Sequence, residues 1–418
     1  MSSTFRSLRY HNARLFFSGL AISNVGTWLQ MTAMSLLVYR LTGEATAVGV
    51  TLALQMLPTL VLGAWAGVIA DGRDRRTMAI VTQSALAGQA LVLGTIDLAG
   101  LANLPVVYVL SLVLGIVNAF DNPARRGLVT ELVPTPDIPN ATSLNTAVMT
   151  GSRIFGPALA GVLVATIGTA WCFILNGATF FAIIFSLVAI RRDEMFPAER
   201  RPKGGKPIRE ALSFVVGHRD MLIIYSLLVV VSTVAFNQGT VLPKLADVRW
   251  GGEEAYGFIL AVMSVGSLSG SLLTARQHVV TMRWFFGAIV VMALAGFGLA
   301  WAPNLPLAYV WSIPFGLGGA AFVAGANAIT QQECPPSMRS RLLALQAVAF
   351  LGSTPIGGPI TGVIADNVSA EWALAYSSVI SLVCVAVGVV YWRAGPAIDV
   401  VRPAPATEPA VERSAPSV

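Results

Sequence analysis

Twelve stretches of mostly apolar residues follow one another along this 418-residue chain, each close to the roughly 20 residues an α-helix needs to cross a bilayer. They fall at roughly 13–39, 46–70, 77–99, 103–122, 140–166, 169–190, 220–245, 254–276, 283–301, 305–328, 341–365 and 371–392. Charged residues make up 11% of the chain and hydrophobic ones 55%, against about 25% charged in a soluble domain. The expected fold class is an all-α polytopic membrane protein with twelve transmembrane helices. The opening MSSTFRSLRYHNARLFF puts arginines before the first run. That run is too long for a signal-peptide core and lacks a small-residue cleavage site, so the first helix is expected to be retained. Cys172, Cys334 and Cys384 are scattered among apolar neighbours, which gives neither a disulfide framework nor a metal spacing. No metal or cofactor is expected.

The loops between these spans are short except for 191–219, which is polar, basic and interrupted by Pro and Gly. The expected organisation is an N-terminal six-helix bundle at 1–190, a cytoplasmic basic linker at 191–219 and a C-terminal six-helix bundle at 220–393. A disordered cytoplasmic tail at 394–418, rich in Pro, Ala and Glu, completes it. Of 27 Lys and Arg, 23 fall at the start, in alternate loops, in the linker and in the tail. The opposite loops hold Arg40, Lys244 and Arg249, and Arg153 lies within a span. Basic residues mark the cytoplasmic side, so both termini are expected there. Topology thus accounts for the net charge of +6, and no nucleic-acid partner is expected.

The two bundles carry a weak internal repeat. NLPVVYVLSLVLGIVNA from Asn103 parallels NLPLAYVWSIPFGLGGA from Asn304 at a constant offset, matching Pro105 with Pro306, Tyr108 with Tyr309, Ser111 with Ser312 and Gly115 with Gly316. After a small slip, Gly156, Pro157 and Gly161 correspond to Gly358, Pro359 and Gly362. Parallel repeats enclosing a site near the bilayer midplane are an architecture of secondary transporters. An enzyme is not expected, because no span holds a nucleophile, metal cluster or acid pair. An ATP-driven pump would need a phosphate loop, and the nearest approach, Gly204-Gly205-Lys206-Pro207, has the wrong spacing.

One loop is more specific. Gly67-x-x-x-Asp71-Gly72-Arg73-Asp74-Arg75-Arg76 holds five charges in its last six residues. It resembles the signature loop of the major facilitator superfamily, Gly-x-x-x-Asp-Arg/Lys-x-Gly-Arg-Arg/Lys. Gly67, Asp71, Arg75 and Arg76 match; Gly72 and Asp74 stand where a basic residue and a glycine are usual. The resemblance implies a conformational lock. Gly67 would let the second helix approach the eleventh, Asp71 would cap that neighbour's positive N-terminus, and Arg75 would pair with Asp121. A solvated turn obeying the charge asymmetry accounts for Arg73 and Arg76 but poorly for Asp71. The corresponding loop of the second bundle, LLTARQHVVTMR, lacks the acid.

In the fifth span, Ser152-x-x-x-Gly156-Pro157-x-x-Ala160-Gly161 resembles the antiporter signature of drug-efflux major facilitators, with every key position small. Such a seam allows tight packing against a helix of the other bundle, and Pro157 permits bending. Generic small-residue packing is the plainer alternative. Over most of residues 5–393 the chain resembles the exporter branch of this superfamily, the transmembrane secretion effector type that includes enterobactin-exporter-like and macrolide-efflux-like carriers. The resemblance implies proton-driven export across a bacterial inner membrane by a monomer; an importer of the same fold is the alternative. Two features depart from the family. Its helix-4 arginine is replaced by Ser111, and no span centre holds Asp or Glu, with Asp97, Asp121 and Asp366 the nearest acids.

Arg153 lies mid-span, where a charge normally faces a cavity or a partner. It is expected either to attract an anionic substrate group or to sense protonation of an acid. Polar residues within spans are either cavity lining or interhelical hydrogen bonds: Asn24, Gln30, Gln55, Gln83, Asn118, Asn145 and Asn176 in the first bundle, and Asn237, Gln238, Asn327 and Gln346 in the second. Trp28 and Phe155 add aromatic surface. A nearly neutral cavity with one cation suits a small, moderately hydrophobic or anionic organic molecule such as a siderophore or macrolide.

Overall fold

Backbone groups in hydrocarbon have no water to bond and must satisfy one another; among the described residues every regular element is helical. The computed structural model describes residues 3–196, 207–335 and 338–394. The helices are α1 (His11–Thr42), α2 (Ala45–Gly72), α3 (Arg75–Leu98), α4 (Leu104–Val129), α5 (Ile138–Ala189), α6 (Pro207–Gly217) and α7 (Arg219–Ala235). They continue as α8 (Gln238–Trp250), α9 (Glu253–Ala275), α10 (Met282–Ala300), α11 (Leu305–Glu333), α12 (Arg339–Leu351), α13 (Thr354–Asn367) and α14 (Ala370–Arg393). Ten segments of the described residues are long and apolar enough to cross a membrane. The 32-residue α1 is outside that set; Ser23, Asn24, Thr27, Gln30, Thr32 and Ser35 interrupt its apolar run. The expected tail, apart from Ala394, and positions 197–206 of the expected linker lie outside the described residues.

Three interruptions shape the bundle. The spans expected at 140–166 and 169–190 are one 52-residue helix, α5, folded at Gly168, whose φ of 80° is open to glycine at no steric cost. The bend is pinned by Asp97, which accepts from Thr169 Oγ1 at 2.5 Å and pairs with Arg40 at 2.9 Å. The span expected at 220–245 breaks into α7 and α8, with Phe236 (ψ 34°) and Asn237 (ψ 30°) leaving helical geometry. Asn237 Nδ2 donates to the Thr233 carbonyl at 2.6 Å and so restores one bond at the break. The span expected at 341–365 pauses at Gly352-Ser353, where Pro355 opens α13 without an N–H to give.

The two Asn-Leu-Pro copies have the same local structure. Asn103 accepts from Val106 N–H at 3.1 Å to cap α4, and Asn304 accepts from Leu307 N–H at 3.0 Å to cap α11. Farther along, Gly115 packs on the α2 backbone at Leu54 and Gln55, as Gly316 packs on the α9 backbone at Met263.

Helices up to residue 189 pack mainly on one another, as do those from 207 onward; α5–α9 and α2–α13 are the main crossings between the sets, and α8 also touches α1 and α2. At α5–α9, Gly161 and Gly257 meet backbone to backbone; a Cβ on either would fall on the other's carbonyl oxygen. At α2–α13, Gly49 meets the Gly358 carbonyl and Gly362 meets Thr46. Of the expected seam residues, Ser152, Gly156, Ala160 and Gly161 are buried; Gly161 faces the other set, whereas Gly156 meets Trp28 of α1. Gly257→Val should therefore force α5 and α9 apart, costing about 1–3 kcal/mol. Thermal unfolding in detergent would register a lowered Tm, whereas Gly63→Ala, which meets nothing within 4 Å, should leave Tm unchanged.

Candidate functional site

Arg153 projects from α5 into a ring of aromatic side chains. Its guanidinium carbon lies 4.5 Å from the centroid of Phe350, 5.9 Å from Trp28 and 6.0 Å from Phe236. Among the described residues it has no carboxylate and no hydrogen-bond partner. Ring faces stabilise the cation, by about 2 kcal/mol or more when desolvated, and leave its five N–H donors open. Trp28 is placed by Gly156, whose missing side chain admits the tryptophan Cβ.

The two interrupted spans supply the other wall. Phe236 sits at the α7–α8 break and Phe350 just before the α12–α13 break, with their rings 5.0 Å apart. Each brings an unsatisfied amide. Asn237 Oδ1, beside Phe236, is buried without a partner, and Gln346 is 4% exposed with neither Oε1 nor Nε2 bonded. Gln346 lies one turn before Phe350 and so shares its face of α12. Broken helices with free polar groups at a shared level are a recurrent way of building a site inside a membrane bundle. Arg153 thus meets Trp28, Phe236 and Phe350, with Asn237 next in the chain to Phe236 and Gln346 one turn from Phe350; composition alone did not single out the two phenylalanines, and the sequence signal near Phe350 was the helix-breaking Gly352 and Pro355.

Other expected lining residues are engaged elsewhere. Gln30 is 3% exposed, donating to Gln89 at 2.9 Å and accepting from Asn176 at 2.6 Å, so its amide ties α1 to α3 and α5. Gln55 reaches Ser111 at 3.5 Å across α2 and α4. Asn24 contacts Met149 and Arg125. Gln238 and Asn327 bond carbonyls of nearby turns, Ala235 and Val323. Asn145 is half-buried on α5. Phe155, two residues past Arg153, is 54% exposed and is not one of the three rings at the guanidinium.

The charged loop departs from the expected pairing. Arg75 bonds Asp71 at 2.8 Å and Glu131 at 2.9 Å, not Asp121. The reason is that α4 runs past its expected end at 122 to Val129. This carries Glu131 to the level of the loop and leaves Asp121 two turns inside the helix. Asp121 is 0% exposed and accepts from Thr82 at 2.7 Å, Gln83 at 2.9 Å and Arg125 at 2.5 Å. A span thus does hold a buried acid. Arg76 donates to the carbonyls of Leu187 and Val188. Gly67 meets nothing within 4 Å, and the Asp71 side chain is 72% exposed rather than capping a helix. Asp74, where the family pattern has glycine, caps α3 by accepting from Arg76 and Thr77 N–H.

The opposite end of α2 is closed. Asp366, at the end of α13, accepts from the N–H of Ala45 at 2.9 Å and of Thr46 at 2.7 Å, and from Lys244 Nζ at 2.5 Å. Tyr39 donates to Asp247 at 2.9 Å at the same end. From sequence, Asp366 is only an acid near a span end.

A family model described as "Transmembrane secretion effector" matches residues 2–414. The chain is 27% identical over 370 residues to an uncharacterized MFS-type transporter, YfiS, of Bacillus subtilis (strain 168), covering 84% of this chain and 85% of the relative. It is 19% identical to the staphyloferrin A transporter of Staphylococcus aureus (84% and 89% covered) and 24% identical to the multidrug efflux pump Tap of Mycolicibacterium fortuitum (84% and 88% covered). In fold it is similar to a bacterial homologue of the human lysosomal transporter Spinster, in an inward-facing and unoccupied conformation. That match has a TM-score of 0.69, 14% identity, and covers 91% of this chain and 96% of that one.

The Asp74 cap gives a prediction of its own. Burial works against ionisation, but bonds from the Thr77 hydroxyl and the Thr77 and Arg76 N–H groups, with Arg192 nearby, hold this carboxyl below its ordinary value. A depressed acid stabilises the fold above its unfolded pKa of about 3.9, and the benefit fades as pH falls through the folded value. Asp74→Ala should cost about 1 kcal/mol at pH 7. The gap from wild type in Tm should close as the pH is taken below about 4.

Proposed function

The chain belongs to the transmembrane secretion effector family of major facilitator transporters, and from that premise we propose that it exports a small organic anion with an apolar or aromatic body. The observation that carries this reading is Arg153, a cation held by Phe350, Trp28 and Phe236 with no carboxylate among the described residues to neutralise it. An anionic substrate supplies the missing partner. Gln346 can donate to it and Asn237 Oδ1 can accept from it, and the rings match its apolar part. The names of the relatives, a staphyloferrin A transporter and a multidrug efflux pump, support export of such molecules. The protein itself is a transporter and not an enzyme.

The same reading extends to topology and cycle. Ten apolar segments, α5 counted twice across Gly168, and α1 make twelve crossings, in bundles at 1–190 and 220–393 joined by the 191–219 linker. The arginine distribution supports cytoplasmic termini and a bacterial inner-membrane location. On that orientation the closed end at Asp366 is extracellular and the open end at Gly67 cytoplasmic, an arrangement ready to load substrate from the cell. The Gly67–Arg76 loop then acts as a lock when the cytoplasmic side closes. Proton drive is assigned to Asp121, the acid buried in α4 and poised against Arg125. The transporter is proposed to act as a monomer.

Accumulation of siderophores, macrolides and dyes in an exporter-deficient bacterium tests this. Wild type should lower accumulation of anionic compounds, Arg153→Ala should abolish that effect by about tenfold or more, Arg153→Lys should retain part of it, and an uncoupler should remove it. Raised accumulation with wild type would overturn export in favour of import. Equal handling of anions by wild type and Arg153→Ala would overturn the role given to the arginine.

A further inference from the structure

The pentapeptide Gly-Val-Ile-Ala-Asp occurs twice in the chain, at 67–71 and at 362–366. The first copy runs to the end of α2 and the second to the end of α13. The copies are chemically identical and structurally opposite. In the second, Gly362 lies against the backbone of Ala45 and Thr46, and Asp366 takes both of their N–H groups together with Lys244. In the first, Gly67 faces open space and Asp71 is mostly solvated.

The helix starts that such an acid could cap are also alike. The residue before α2, Glu44, gives it no side-chain cap, and the residue before α12, Met338, gives none either. At α2 that deficiency is filled from across the molecule by Asp366. The start of α12 and the end of α13 are the two ends of one candidate membrane span, 341–367. Each of the two spans thus begins without a cap of its own and ends in a Gly-Val-Ile-Ala-Asp copy, and the two lie side by side, touching at Gly49–Gly358 and at Leu60–Gly352.

We propose that Asp366 and Lys244 are positioning residues of the transport cycle. In this arrangement Asp366 holds the extracellular end shut by capping α2, and its release is coupled to engagement of Asp71 at the other end. A rocking of α2 about its contacts with α12 and α13 that pulls Ala45 and Thr46 from Asp366 carries Gly67 and Asp71 toward the start of α12. Only one copy is engaged at a time. Each acid has a cation beside it, Lys244 at Asp366 and Arg75 at Asp71, so the two grips differ in side rather than in kind. This rests on the export reading for its sense of inside and outside, but not for the coupling itself.

Paired spin labels on full-length protein in lipid nanodiscs, without any substrate, test it. With the native cysteines replaced, one pair at Leu41→Cys and Val368→Cys reports the Asp366 end; a second at Arg73→Cys and Gln277→Cys reports the Asp71 end. Removing the charge with Asp366→Asn should raise the population with a long 41–368 distance relative to the short one by about tenfold, the scale of one charge-assisted hydrogen bond. The same molecules should shorten at 73–277. Lys244→Met should act in the same direction, with Asp366→Asn adding little to it, and Asp366→Glu should restore much of the wild-type distribution. Asp71→Asn should shift both pairs the other way, and the double Asp71→Asn/Asp366→Asn variant should return toward wild type. Lengthening at 41–368 with no change at 73–277 would overturn the coupling, leaving Asp366 as a local tie. Unchanged distances in both Asp366→Asn and Lys244→Met would overturn the gate itself. If the distances move as described while no compound is exported, the gate stands and the export reading falls.

Discussion

Everything in this molecule depends on how closely two backbones can approach where no water drives them together. Lipid tails are as apolar as the side chains they would replace, so helix pairs in a bilayer are held by close packing and weak polar contacts. The α5–α9 crossing achieves this with Gly161 against Gly257, and the α2–α13 crossing with Gly49 against Gly358. Both pairs lie toward the same end of the bundle, near the start of α2 and of α9. At the far end Gly67 meets nothing within 4 Å.

The Arg153 site solves a problem of charge in an apolar setting. A carboxylate partner would stabilise the arginine, but it would also neutralise it, and breaking such a buried pair is costly. Ring faces stabilise the cation while leaving its N–H edge unoccupied. Two of them are delivered by α7–α8 and α12–α13, the two spans of the second helix set that break. Packing and chemistry are therefore linked: Phe236 and Phe350, one at each interruption, meet at 5.0 Å.

Much of the fold was legible because hydropathy and helix length are local properties. The expected span at 283–301 is α10 (Met282–Ala300) within a residue, and the Asn-Leu-Pro caps fall where the repeat put them. What escaped was set by tertiary structure. Hydropathy cannot see that α4 continues through Pro123 to Val129, and so Arg75 was paired with Asp121 in place of Glu131. Gln30 and Asn327 look alike as polar residues in apolar runs, yet one bridges three helices and the other bonds its own turn. Asp366 gave no local sign of its role, because Ala45 and Thr46 are more than three hundred residues away and offer only backbone, and Lys244 lies in a different span.

The polar network on α1 bears on how the chain is made. Asn24, Gln30 and their neighbours leave α1 outside the set apolar enough to cross on their own. Gln30 finds its partners at Gln89 and Asn176, and the segment before α1 is fastened to Asp137 through Arg9 and Tyr10. These groups emerge from the ribosome long after α1 does. At synthesis rates of about 5–20 residues per second, the first helix waits on the order of ten seconds for Asn176 to appear. During that interval Thr27 and Ser35 can bond carbonyls of their own helix, but the Gln30 amide must be sheltered without its partners. The first helix to be made is therefore secured only once α5 has been synthesised, and α2 only once α13 has.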